Sequence, residues 1–197
     1  MTFFGRDVVE GHRRILNDFL GALKDKCIAG ILDAGSGRTS LSAITELFPD
    51  TPVDAVIYPG DTRKLNSVSE IRALHPEINV IEKDICSDAV CNEYDLIVAH
   101  LLLGEAAKFG SRFDDMLEKI ITMKYRYLII IDYLEDPSVN ENAILKMCDG
   151  KDLTVVYRSY FTNEQPQTWE DFTGTHNFGY LIKNLSQTEA LHTSPEK

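Results

Sequence analysis

Continuous apolar runs that alternate with amphipathic stretches constrain the fold of this chain more than any other feature. The apolar runs lie at 28–33, 53–57, 78–82, 94–99 and 125–131. Unbroken runs of this length are typical of parallel strands that are buried on both faces. The helical stretches between and after them are predicted at 39–48, 62–75, 105–123 and 137–148. Strand–helix alternation of this kind predicts an α/β fold, a doubly wound and mostly parallel sheet with helices on both faces.

The two ends of the chain depart from this rhythm. An amphipathic helix is predicted over 8–23, within an N-terminal helical segment that spans 1–26. Near the other end, 153–161 and 178–182 read as strands, and the polar stretch between them lacks helical periodicity. Two strands joined without a crossover helix pair most easily as antiparallel neighbours. The chain is therefore predicted to be one domain over 1–185, with a seven-stranded sheet that ends in a C-terminal antiparallel hairpin, and a flexible tail over 186–197.

The net charge and the cysteines indicate which binding partners and which cellular compartment to expect. Twenty basic and 31 acidic side chains give a net charge of −11, which disfavours binding to a nucleic-acid backbone. No apolar run is long enough to span a bilayer, and Met1 to Arg6 do not resemble the start of a signal peptide. The cysteines contain no CxxC pair and are predicted to be reduced, mostly buried thiols: Cys27, Cys86, Cys91 and Cys148. We expect a cytoplasmic protein with neither a nucleic-acid nor a membrane partner, and the sequence does not indicate its oligomeric state.

A Gly-x-Gly turn follows the first predicted strand. The segment from Ile31 to Gly37 reads ILDAGSG, and Thr39 or Ser40 is expected to cap the helix that comes next. Glycines at such a turn allow close approach of a ligand, and the turn falls at the cofactor crevice of an open α/β sheet. The alternative interpretation is a tight turn without a ligand.

The charge of Asp33 discriminates between possible cofactors. The third glycine of a dinucleotide fingerprint would fall at Ser40, which is small enough not to exclude one. A carboxylate at the strand end would nevertheless repel a pyrophosphate and attract a cationic head. S-adenosylmethionine carries a sulfonium and an ammonium, so we expect it as the cofactor and expect Asp33 to serve this ligand rather than the core.

These residues and three later segments resemble the class I S-adenosylmethionine-dependent methyltransferases. The resembling segments are ILDAGSG at 31–37, VIEKDI at 80–85, YDLIVAHLLLGE at 94–105 and YLIIID at 127–132. They occur in the family's order and cover residues 8 to 183, and the family resemblance implies a Rossmann-like fold and methyl transfer.

The resemblance also implies roles for individual residues. The residues that would hold the methionine part of the cofactor are Asp33, Gly35, Ser36 and Gly37, followed by Thr39 where the family often has glycine. Asp84 and Ile85 would meet the adenine, and His100 and Leu101 would lie beside the transferable methyl group.

The end of the second strand departs from the family pattern. The family usually has an acidic residue there that binds both ribose hydroxyls, whereas this chain has Ile57 or Tyr58. Either Asp61 reaches back around the Pro-Gly turn or Tyr58 donates one hydrogen bond. The alternative is weak ribose recognition in a non-catalytic relative that acts through protein association.

Methyl transfer needs a general base only when the acceptor must lose a proton. His100 is the first candidate because its ordinary pKa lies near neutrality, and the alternative is a packed or capping histidine. Glu105 is the second, and the alternative is a favourable charge in the first turn of a helix. No metal site is expected.

The predicted function is methyl transfer from S-adenosylmethionine, which leaves S-adenosylhomocysteine as the product. The predicted acceptor is a small molecule or, as a second choice, a protein side chain. A third possibility is that the protein is an NAD(P)-dependent oxidoreductase.

Overall fold

The computed structural model describes residues 6–85, 93–103, 112–134, 137–162 and 176–187. The helices are α1 (Arg6–Leu23), α2 (Arg38–Leu47), α3 (Thr62–Arg72), α4 (Arg112–Ile121) and α5 (Pro137–Cys148). The strands are β1 (Ile31–Ala34), β2 (Val53–Ile57), β3 (Ile78–Glu82), β4 (Tyr94–His100), β5 (Tyr125–Leu134), β6 (Leu153–Thr162) and β7 (His176–Asn184).

The strands form one seven-stranded sheet in the order β3-β2-β1-β4-β5-β7-β6. Neighbours from β3 to β5 pair in parallel, whereas β7 is antiparallel to both β5 and β6. The chain runs outward from β1 to β3 and then returns to the other side of β1 to form β4. The carboxyl ends of β1 and β4 therefore flank the topological switch point, which is where open α/β sheets bind ligands.

Two apolar clusters cover the sheet. The first contains side chains of α1, α2 and α3, together with Ile31 of β1 and Val98 of β4. The second contains side chains of α4 and α5, together with Leu32 and Ile97. Because successive strand residues point to opposite faces, these pairs of neighbours place the two clusters on opposite sides of the sheet.

The mixed seven-stranded sheet and its C-terminal antiparallel hairpin confirm the predicted α/β fold. Several predicted boundaries differ from the structure, most of them by one to three residues, and three of them have a clear physical cause. β1 begins at Ile31 rather than Ile28, because the backbone at Ala29 donates to the Asp95 carboxylate at 2.7 Å instead of joining the strand ladder. α2 begins one residue before the expected caps, since Gly37 occupies the N-cap position.

The third boundary lies at the end of α3. The helix ends at Arg72 rather than at His75. The N–H of His75 is shared between the carbonyls of Ile71 and Arg72, at 3.0 and 3.2 Å, so the chain tightens into a turn before Pro76.

Helix α1 packs on the sheet where β7 carries a glycine. A Cβ atom built on Gly179 would lie 2.4 Å from Cγ2 of Ile15 and 2.8 Å from Cε2 of Phe19. A side chain at this position would meet the apolar face of the helix. Gly179 therefore sets how closely α1 approaches the sheet.

The two cysteines within the described residues differ in exposure. Cys148 is buried, as predicted, whereas Cys27 is exposed in the irregular segment between α1 and β1; both are free thiols. Cys86 and Cys91 lie outside the described residues. No helix in the described ranges is both long enough and apolar enough to cross a membrane.

Candidate functional site

The glycine turn lies at the carboxyl end of β1 and is held by bonds to neighbouring backbone. The N–H of Ser36 donates to the carbonyl oxygen of Val56 at 2.8 Å, and its hydroxyl donates to the carbonyl oxygen of Asp33 at 2.7 Å. Gly35 has φ +74°, a left-handed conformation that side chains rarely adopt. The sequence ILDAGSG thus forms a strand followed by a fixed turn, with Gly37 at the start of α2.

Asp33 is the central charged group of this site. Its side chain is fully buried. Oδ2 accepts a hydrogen bond from the Ser40 hydroxyl at 2.7 Å. Oδ1 is buried and has no hydrogen-bond partner among the described residues.

Burial raises the pKa of Asp33 from 3.8 to about 6, against the hydrogen bond from Ser40 and the charge of Lys64, which lower it. At neutral pH the group is therefore mainly ionised, with one carboxylate oxygen still able to accept a hydrogen bond.

Lys64 brings a positive charge to the same turn. Its Nζ atom donates to the carbonyl oxygen of Gly35 at 3.1 Å. Its backbone N–H donates to Oδ1 of Asp61 at 3.0 Å, which fixes the first turn of α3. The glycine turn therefore has an ammonium from α3 bonded to its backbone, in addition to the carboxylate that β1 supplies next to it.

His100 ends β4 on the face that Asp33 shares. Asp33 is in register with Val98, and His100 follows Val98 by two residues, so the side chains of Asp33 and His100 point to the same side of the sheet. The His100 ring packs edge-on against His12 of α1, with ring centroids 5.7 Å apart.

Burial lowers the pKa of His100 from 6.5 to about 3, and the charges of His12 and Lys64 lower it further. Its Nε2 atom is buried and has no hydrogen-bond partner within the described part of the chain. At neutral pH the imidazole is therefore neutral.

The chain after β4 turns back towards the glycine turn. Leu101 has φ +58°, a strained value for a residue with a side chain, and its N–H donates to the carbonyl oxygen of Ile131 at 2.8 Å. Leu102 follows and is buried. A Cβ atom added to Gly35 would lie 2.7 Å from Cδ1 of Leu102, so the turn after β4 closes one side of the glycine turn.

The end of β2 carries no acidic side chain. Ile57 is buried, and Tyr58 is 55% exposed. Tyr58 begins a turn in which the N–H of Asp61 donates to its carbonyl oxygen at 3.1 Å, with Gly60 at φ +82°. The carboxylate of Asp61 caps α3 through its bond from the Lys64 N–H.

The other predicted site residues are placed as follows. Asp84 is half-buried and Ile85 is buried, directly after β3 and two strands away from β1. Thr39 lies half-buried in the first turn of α2. Glu105 lies outside the described residues. Within the described ranges, no group of three or more His, Cys, Asp or Glu side chains is arranged to hold a metal ion.

The structure brings three residues to this site that the sequence pattern does not assign to it: Ser40, His12 and Lys64. Ser40 was considered only as a helix cap and a glycine substitute, although its spacing from Asp33 across a strand–turn–helix could have suggested the contact. His12 lies within the helix predicted over 8–23, and its place on the apolar face predicts a core residue rather than a site residue. Lys64 carries no sequence signal, since the bond to Gly35 joins positions 29 residues apart.

Comparison with known proteins identifies the fold. The sequence matches no protein-family model, and a search of curated proteins gives no significant match. The structure is similar to StiE O-MT, residues 942–1257 of that protein, with a TM-score of 0.60, 16% identity and coverage of 90% of this chain and 74% of the other. It is similar to the N-methyltransferase NodS from Bradyrhizobium japonicum WM9, with a TM-score of 0.64, 14% identity and coverage of 92% of this chain and 99% of NodS.

A third similar structure is the plantazolicin methyltransferase BpumL in complex with a triazolic desmethylPZN analog and S-adenosylhomocysteine. The TM-score is 0.61 at 15% identity, with coverage of 88% of this chain and 85% of BpumL. NodS has also been solved in complex with S-adenosylhomocysteine. This chain therefore has the class I methyltransferase fold.

Proposed function

We propose that this protein is an S-adenosylmethionine-dependent methyltransferase that acts on a small molecule or, as a second choice, on a protein side chain. The observation that carries the proposal is the buried carboxylate of Asp33 at the switch point of the sheet, with Oδ1 lacking a hydrogen-bond partner among the described residues. Buried polar atoms in proteins are normally hydrogen-bonded, so an open acceptor of this kind favours a ligand that donates to it.

The methionine part of S-adenosylmethionine can supply such a hydrogen-bond donor. Its ammonium is a cationic donor, and a charge-assisted hydrogen bond to a buried carboxylate is stronger than a neutral one. In this proposal Asp33 holds the ammonium, and the turn formed by Gly35, Ser36 and Gly37 lies along the methionine chain. Asp84 and Ile85 remain the candidates for the adenine side, and Leu101 for the methyl side.

The bound cofactor supplies an activated methyl group, so the protein mainly has to orient donor and acceptor. The neutral state of His100 bears on the choice of acceptor. A buried imidazole with a pKa of about 3 is a weak proton acceptor, which reduces the support for His100 as the general base. The site accordingly favours an acceptor that attacks without first losing a proton, such as a neutral amine. Glu105 remains a candidate for a base.

The similar structures support a small acceptor. Their names describe O- and N-methyltransferases and a plantazolicin methyltransferase. A net charge of −11 argues in the same direction, against a nucleic-acid acceptor.

Calorimetric titration with S-adenosylhomocysteine, NAD and NADP tests the proposal. We expect submillimolar binding of S-adenosylhomocysteine and no binding of the two dinucleotides. Tight binding of NAD or NADP instead would contradict the proposal and indicate an oxidoreductase.

A second candidate function is a non-catalytic protein with this fold that acts through protein association. The end of β2 favours it, because Tyr58 is exposed and the Asp61 carboxylate serves as a helix cap instead of an open ribose ligand. Absence of binding for all three ligands would support this second function.

A further inference from the structure

Strand β6 forms one edge of the sheet and is the longer of the two edge strands. It has ten residues and pairs with β7 alone among the described strands. The opposite edge strand, β3, has five residues and ends in Glu82. Proteins protect a free edge by keeping it short or by placing charges or proline on it, because its open N–H and C=O groups can pair with another chain. The β3 edge meets this description.

The composition of β6 gives no such protection. Its sequence, LTVVYRSYFT, contains Arg158 as its one charged residue and has no proline. Most of the other residues are β-branched or aromatic, which are the types that pair well in sheets. Val156 is the extra residue of a β-bulge, and bulges often turn an edge away from partners. Here, however, Val156 is 44% exposed and the next residue, Tyr157, is 53% exposed, so the bulge presents apolar groups to the surface.

Exposed apolar side chains are grouped at this edge. Five large hydrophobic side chains are exposed in the described ranges, and three of them lie here: Val156, Tyr157 and Leu185. Leu185 belongs to the edge because its N–H donates to the carbonyl oxygen of Asp152, directly before β6, at 2.7 Å. Single exposed apolar residues are normal, whereas a group of them marks a contact site.

The charge of this edge fits a second copy of the same chain. The whole protein carries a net charge of −11, which makes two copies repel each other. Residues 151–159 differ from the whole, with two basic side chains, Lys151 and Arg158, and one acidic side chain, Asp152. The Arg158 guanidinium lies over the ring of Tyr180, 5.8 Å from its centroid, which holds this charge on the exposed face of the sheet. Two copies can therefore approach each other here against less repulsion than elsewhere.

We propose that two copies of this protein pair through β6, in an antiparallel arrangement with a two-fold axis at Val155. The register against β7 sets which residues meet. Thr154 and Tyr157 lie one ladder step on either side of Val155, and their partners Lys183 and Leu181 are two residues apart, so both side chains are on the same face. The two-fold axis therefore places Tyr157 of one copy opposite Thr154 of the other.

The same pairing brings opposite charges together. Leu153 and Arg158 lie two ladder steps on either side of Val155, so they are opposite each other across the axis. Asp152 precedes Leu153, and each Asp152 thus comes within one residue of the position that faces Arg158 of the other copy. The axis repeats this contact, which gives two pairs of opposite charges. This complementarity favours a second copy over a partner of unrelated sequence.

Sedimentation equilibrium of the full-length chain tests the pairing. We expect a monomer–dimer equilibrium over a range of about 1 to 100 μM, since an edge contact is small. Tyr157→Lys adds a charge on both sides of the contact and should raise the dissociation constant of the dimer at least about tenfold. Leu74→Lys is the matched control, because Leu74 is exposed just beyond the end of α3 and is not part of the β6 edge. This control should form the dimer like wild type.

An exchange of charges tests the register. Arg158→Asp and Asp152→Arg should each weaken the dimer, because each brings like charges together. The double variant should recover most of the lost affinity, since opposite charges face each other again. Thermal unfolding shows whether each variant is folded. Asp152→Arg and Tyr157→Lys carry the test if loss of the contact with Tyr180 unfolds the variants of Arg158.

Four results would overturn the inference. A monomer at all these concentrations would leave the edge to a different protein. A dimer that Tyr157→Lys does not weaken would use another surface. Equal weakening by Leu74→Lys would indicate non-specific association of apolar groups. A double variant that recovers no affinity would exclude the axis at Val155. None of these measurements involves a cofactor, so they are independent of the proposed function and of the titrations that test it.

Discussion

At the scale of single residues, burial of the Asp33 carboxylate lowers the stability of the folded protein at neutral pH. The carboxylate is fully buried, and burial raises its pKa from 3.8 to about 6. The folded state therefore holds the protonated form more readily than the unfolded state does. Above about pH 6, where Asp33 is ionised, its burial opposes folding.

Replacement of Asp33 by asparagine should move stability and binding in opposite directions. Each pKa unit corresponds to about 1.4 kcal/mol, so we expect Asp33→Asn to raise the free energy of unfolding at neutral pH by about 1 to 3 kcal/mol. If Asp33 holds the ammonium as proposed, the variant should bind S-adenosylhomocysteine at least about tenfold more weakly, because the attracting charge is lost. Urea unfolding and calorimetry measure the two effects.

Asp50→Asn is the matched control for this substitution, since Asp50 is exposed and lies beyond the end of α2. It should leave both quantities unchanged. A destabilised Asp33→Asn protein would mean that the hydrogen bond with Ser40 outweighs the cost of burying the charge.

The motif around Asp33 shows what a sequence can reveal about a site and what it cannot. Asp33 and the glycines were identifiable because a strand, a turn and a helix start follow each other along the chain. Lys64 was not, because its approach to Gly35 depends on where α3 settles against α2 and the sheet. The burial of His100, and with it the low pKa, likewise depends on α1, which brings His12 from a distant part of the chain.

At the scale of secondary-structure elements, the packing of α1 on β7 depends on Gly179, which has no side chain. Gly179→Ala places a Cβ 2.4 Å from Ile15, which no real contact of this kind permits. We expect a loss of about 1 to 3 kcal/mol in the free energy of unfolding, the usual effect of overpacking a core. Thermal or urea unfolding measures it.

Gly21→Ala in α1 provides the comparison. A Cβ at Gly21 meets nothing within 4 Å, and alanine favours a helix over glycine by about 0.5 to 1 kcal/mol, so this variant should be as stable as wild type or more stable. Equal stability of the two variants would show that α1 can move away from the sheet without cost.

The elements themselves were largely predictable from local pattern. The strands at 53–57 and 78–82 and the helix at 137–148 have the predicted bounds, because apolar runs and proline positions mark them. The errors at Ile28, at the start of α2 and at the end of α3 come from bonds that local pattern does not contain, such as the one from Ala29 to Asp95.

At the scale of the whole molecule, Asp33 and His100 change the free energy of unfolding in opposite directions as the pH falls. Asp33 has a raised pKa, so its contribution to stability increases as the pH falls from about 6 towards 3.8. His100 has a lowered pKa, so stability is lost as the pH falls from 6.5 towards about 3, where the unfolded chain takes up a proton that the folded one refuses. The two contributions partly cancel over the shared range.

Replacement of either Asp33 or His100 should make the pH dependence due to the other residue visible in the stability of the protein. Between pH 7 and pH 5, Asp33→Asn should lose about 1 kcal/mol more stability than wild type, and His100→Gln should lose less than wild type. Unfolding midpoints measured across this range provide the check. Parallel pH profiles for all three proteins would contradict the opposed contributions.

The place of β7 in the sheet has a consequence for synthesis. This strand lies between β5 and β6, yet it follows both of them in the chain. While a ribosome is still making the segment before His176, β5 has an open edge and β6 has no neighbour to pair with. Open strand edges attract other chains. The nascent protein is therefore most exposed to misassembly just before its closing strand emerges, and any chaperone that assists it would act at that moment.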